Sequence, residues 1–112
     1  MNPDTYIAID SVGNYNNFDP DEVAAFLKEE QWAVNIGNVA VVCRATEPPV
    51  VYDPENLELG EYHTSPQLFI EFKGIIGSDL HHFEHHLFSD IGADEVDHRI
   101  LDHRIVVRAW WD

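Results

Sequence analysis

An α+β fold with an antiparallel sheet is predicted by three observations in the sequence. Short β-type runs alternate with two stretches of helical periodicity, turn-forming residues punctuate them, and hydrophobic residues make up 45% of a 112-residue chain. That length suits a single domain, 1–112, with one modest core. Read in order, the elements are strand, helix, strand or hairpin, strand, helix, strand. This is the β-α-β-β-α-β order of a ferredoxin-like sandwich, with both helices on one face of the sheet and a long loop inserted.

The first strand is expected at Thr5–Asp10, where side chains alternate, followed by a Gly/Asn-rich loop to Phe18. Asp19 can cap a helix that begins at Pro20, with Glu22 three residues after the cap and Val23, Phe26 and Leu27 on one face, so a helix is expected over about 20–31. Trp32–Ile36 and Val39–Arg44 are β-type runs around Gly37-Asn38, a pair suited to a hairpin turn, or else form one long bent strand. Glu47–Pro66 is rich in proline and acids and reads as a long excursion with a short strand at Val50–Tyr52. Gln67–Lys73 reads as a strand, and a second helix is expected over about 79–90, with Leu80, Phe83, Leu87 and Ile91 on one stripe. After an acidic connector, Arg104–Trp111 forms the last strand.

The charge balance narrows the possible roles. There are 21 Asp and Glu against 6 Lys and Arg, a formal charge of −15, which repels nucleic acid and anionic membranes and attracts basic surfaces. Direct nucleic-acid binding is therefore not expected. No run reaches the ~20 apolar residues of a membrane span, and the first residues lack the pattern of a signal peptide, so a cytoplasmic location is expected. The single cysteine, Cys43, sits in an apolar run and reads as a small core residue.

His81, His82, His85 and His86 crowd the second helix. At about 100° per residue they fall opposite the apolar stripe and face water. The i,i+4 pairs His81/His85 and His82/His86 can each reach one metal ion. His81–His85 also fits the H-x-x-E-H pattern of inverzincin metallopeptidases, and His82–His86 fits a histidine box. Neither pattern has a third ligand or the surrounding domain it needs. No metal or other cofactor is therefore expected, and a metal-binding domain using these histidines is the alternative. Seven histidines among so many acids also predict a net charge that shrinks near the intrinsic histidine pKa of roughly 6.5.

Signatures of catalysis are missing. There is no P-loop, G-x-G-x-x-G, G-x-S-x-G or C-x-x-C, and His63 beside Ser65 does not make a triad. A non-enzymatic role follows as the expectation.

The acids gather around the first helix, in the long loop (Asp53, Glu55, Glu58, Glu61), and after the second helix (Asp90, Asp94, Glu95, Asp97, Asp102). Duplex DNA carries one charge per ~1.7 Å of axis, so a carboxylate-studded surface can occupy a site built for phosphate. Trp110 and Trp111 are neighbours on a strand and must point to opposite faces, so one of them leaves the core. Trp111, with Tyr52 and Tyr62 in the loop, is the expected aromatic contact.

The expected partner is a basic protein surface on a nucleic-acid-processing enzyme or complex. A homodimer is compatible with the sequence. In size, acidity and lack of catalytic motifs the chain resembles anti-CRISPR and other anti-defence inhibitors and nuclease-toxin immunity proteins. That resemblance is one of class, carried by no motif, and it implies inhibition by binding. A structural domain of a salt-adapted organism is a further alternative.

Overall fold

The computed structural model describes residues 3–42, 66–74, 77–101 and 104–112. The chain begins with a helix where a strand was expected. α1 spans Pro3–Val12, with proline in its first turn. Gly13, at φ +70°, closes it, and its N–H donates to the Asp10 carbonyl at 3.1 Å. Ile9 is fully buried and Tyr6 and Val12 pack against the core, a three-residue spacing that only a helix turns to one side. The short alternation over Thr5–Asp10 is equally compatible with that spacing, and packing decides between them.

α2 spans Pro20–Leu27. Asp19 caps it as expected, its Oδ1 accepting the Asp21 N–H at 2.9 Å, and Val23, Phe26 and Leu27 are buried. The helix ends at Leu27 instead of running to 31, and a short α3, Glu30–Ala33, follows a break at Lys28 and Glu29. Trp32 therefore lies on a helical turn and not on a strand. Its ring sits 5.7 Å from Phe26 and 5.3 Å from Phe83, a position that an extended Trp32–Ile36 would not reach.

Of the hairpin and the single bent strand that the sequence allows around Gly37-Asn38, the structure has a strand continuous through the pair, β1, Ile36–Val42, begun at Ile36 and not at Trp32. Ile36 pairs with Phe72 and Asn38 with Glu71, so Gly37 is the extra residue of a bulge. The bulge resets the alternation, which is why Ile36, Val39 and Val41 all face the core despite their odd and even numbers.

β2 (Gln67–Phe72) and α4 (Gly77–Ser89) fall close to the expected positions. β3 (Glu95–Leu101) was not anticipated, because its charged residues read as a connector. β4 spans Arg104–Trp110. The four strands form one antiparallel sheet in the order β1-β2-β4-β3. The protein is α+β with an antiparallel sheet, but among the described residues the β-α-β-β-α-β order is not the one observed: α1 replaces the first strand and β3 adds one late in the chain.

A single core joins the helices to one face of the sheet. Phe83 of α4 is at its centre, 4.8 Å from Phe72, 5.1 Å from Phe26 and 5.3 Å from Trp32, ring centroid to ring centroid. Leu68, Ile70 and Phe72 of β2 and Val107 and Ala109 of β4 complete the sheet side. Cys43, the Val50–Tyr52 run and the long acidic excursion lie outside the described residues.

Truncating Phe83 to alanine removes the ring that three others share, and should cost about 3–5 kcal/mol in a denaturant melt. Asp19→Ala removes one helix cap and should cost about 1 kcal/mol. If the two losses prove equal, the aromatic cluster is not the centre of the core.

Candidate functional site: an acidic rim around the end of the sheet

Trp111 fixes the position of everything around it. It follows β4 with the same parity as Ile105, Val107 and Ala109, so its indole enters the helix-side core, where it is fully buried. Phe18 meets it edge to face at 5.0 Å and 86°. Its Nε1–H donates to the Ile91 carbonyl at 3.2 Å, and its backbone N–H donates to the Pro66 carbonyl at 3.1 Å. The sequence reading assigned the surface contact to Trp111, and the structure reverses that assignment. The half-buried Trp110 takes the opposite face, beside Gln67 and Glu95 in register. The signal was present in the sequence: Arg104 and Arg108 share Trp110's parity and mark that face as the polar one.

The anchored indole holds the connector between α4 and β3 against the end of the chain. Gly92 makes the turn at φ +78°, and a Cβ there would stand 3.0 Å from the Asn17 Cβ, so both conformation and space call for glycine. Asp94 donates its backbone N–H to the Trp110 carbonyl, and its Oδ2 accepts the Asp112 N–H, each at 2.8 Å. Asp90, Asp94, Glu95 and Asp97 are all exposed along this connector and the strand it enters.

Arg108 orients the strand acids. Its guanidinium donates to Asp97 Oδ2 at 2.8 Å, reaches Glu95 Oε2 at 3.5 Å and donates through Nε to Gln67 Oε1 at 3.0 Å. One cation thus serves two carboxylates, and the group stays net negative. Deeper on the same face, Arg104 lies 3.5 Å from the buried Glu71. The remaining predicted contact residues, Tyr52, Asp53, Glu55, Glu58, Glu61, Tyr62 and Asp102, lie outside the described residues.

The α4 histidines do not converge. His81, His82 and His85 are exposed, while His86 is half-buried, paired through Nδ1 with Asp90 Oδ2 and set 6.0 Å from the Trp32 ring. Among the described residues, no three His, Cys, Asp or Glu side chains are grouped so as to hold a metal ion. His98 on β3 turns toward α4, its Nδ1 2.9 Å from Glu84 Oε1. On α1, partial burial pushes the Tyr6 phenol above its ordinary pKa range, and the Lys28 ammonium sits 4.3 Å over its ring.

No helix among the described residues is long and apolar enough to cross a membrane. No family model, curated protein or solved structure matches this chain.

The two indoles predict opposite behaviour. Trp111→Ala should cost about 3–5 kcal/mol of stability, as expected for a fully buried aromatic, and Trp110→Ala no more than about half of that. Thermal unfolding of the two variants makes the comparison, and equal losses would contradict the division of faces.

Proposed function

We propose that this protein binds a basic surface on a larger protein, of the kind that nucleic-acid-processing enzymes present to phosphate, and blocks it. The observation that carries this reading is the run of exposed carboxylates Asp90, Asp94, Glu95 and Asp97, of which Asp94 and Glu95 adjoin the half-buried Trp110. The rim is held by the buried Trp111 and by Arg108, so it is pre-ordered and binding does not require it to be organised first. A chain of net charge −15 steers a cationic partner from a distance, and a fixed indole beside the acids supplies contact area once the two have met.

On the outward sheet face Arg104 and Arg108 are engaged with acids of this chain, and Arg99, exposed two residues from Asp97, leaves the rim of four carboxylates net negative. Inhibition by occupying a phosphate-binding surface, as in anti-defence and immunity proteins, belongs to this proposal.

The test is capture of nuclease and CRISPR effector complexes on the immobilised protein at low and high salt. A partner should be retained at low salt and released as salt screens the charges. Replacing Asp90, Asp94, Glu95 and Asp97 together by their amides should weaken retention about tenfold or more, or about 1.4 kcal/mol, chiefly through slower association. Trp110→Ala should speed dissociation instead. Retention unchanged by the amide variant, or increased by salt, would sink the proposal.

A further inference from the structure

β3 is an edge of the sheet, since among the described strands only β4 pairs with it. From Asp97 to Ile100 its residues are exposed, Ile100 to 70%. A long open edge with an exposed aliphatic residue invites pairing with another strand, and charges on the edge decide which strand is accepted.

We infer that β3 is self-complementary, and that two copies of this chain pair along it, antiparallel about His98, into one continuous sheet. The argument is one of register. For two identical strands related by a two-fold axis normal to the sheet, facing residues must share parity, so the axis passes through a residue. Centred on His98, the pairing sets Asp97 against Arg99 of the second copy, twice, and Val96 against Ile100, twice. Charged pairs then lie on one face, and on the other the aliphatic pairs flank two facing His98 side chains, matching the faces those residues occupy within the chain.

Shifting the axis to Asp97 brings two aspartates face to face, and shifting it to Arg99 brings two arginines face to face. The His98 register is the one of the three without a like-charge pair. Asp97 keeps its bond to Arg108, because a carboxylate has acceptor sites for both guanidinium groups. Arg99 makes no ion pair among the described residues, and the partner's Asp97 supplies one. The His98 ring is held by Glu84 of α4, which leaves the strand's outer edge open.

This pairing shares Asp97 with the acidic rim but does not rest on the rim's proposed partner, and salt separates the two. Each copy carries −15, so the copies repel at long range, and screening from ~10 Å at 0.1 M salt to ~3 Å at 1 M favours the dimer. Capture of a cationic partner moves the opposite way.

Sedimentation equilibrium of the full chain over that salt range is the experiment, with disulfide trapping as its second arm. The expected result is a dimer that strengthens with salt, weakens in Ile100→Ser and is lost in Arg99→Asp, while circular dichroism of both variants stays native. In a Cys43→Ser background, His98→Cys should cross-link under mild oxidation far faster than Asp97→Cys or Arg99→Cys. Facing Cα atoms lie about 4.5–5.5 Å apart, within disulfide reach. A monomer at every salt concentration, a dimer indifferent to Arg99→Asp, or faster cross-linking at 97 or 99 overturns the inference.

Discussion

The burial of one indole next to the last residue described organises both halves of this molecule. Trp111 is apolar over most of its surface and polar at one atom, and the core satisfies both parts: Phe18 packs on the ring and the Ile91 carbonyl accepts its N–H. Because Ile91 lies just beyond α4, that single hydrogen bond ties the helix layer to the end of β4. The connector that follows Ile91 then has little freedom, and its acids emerge along a defined line. A buried structural contact thus sets the geometry of the charged surface.

The same sheet carries two unlike faces. Toward the helices it is aromatic and aliphatic, with Phe83 touching rings from α2, α3 and β2. On the other face Phe69 and Val106 are buried among arginine–carboxylate pairs, and Glu71 is buried with them beside Arg104. Burying a carboxylate carries a desolvation cost that a nearby guanidinium and further hydrogen bonds offset. Arg104 stands there, where a negative charge would otherwise be most expensive, while Arg108 serves the exposed rim carboxylates Asp97 and Glu95.

Local chemistry made part of this legible. The Asp19 cap with Pro20 and the apolar stripe of α4 each state their element without help from distant residues, and both are found where the sequence placed them. The errors arose where tertiary packing overrode a short pattern. Thr5–Asp10 reads as either period until Ile9 finds a core to enter. Trp32 is drawn into a helical turn by Phe26 and Phe83, and the Gly37 bulge flips an alternation that no single-strand reading would interrupt. β3 was missed because an edge strand carries the charges that ordinarily mark a connector. At the site, the acids of the rim were legible from composition, whereas the choice between Trp110 and Trp111 required the parity of β4, which Arg104 and Arg108 already displayed.

That parity has a consequence for how such a chain can diverge. Along β4, adjacent positions answer to different demands: one set holds the core together, and the other meets ions and solvent. Substitutions at positions 108 and 110 can therefore retune the outer face while the fold is kept, whereas Arg104 is held by the buried Glu71. Inserting or deleting one residue within the strand would exchange the two sets wholesale, sending Arg108 inward and Ala109 outward. Descendants of this sequence should accordingly vary in side chain along β4 while its length stays frozen.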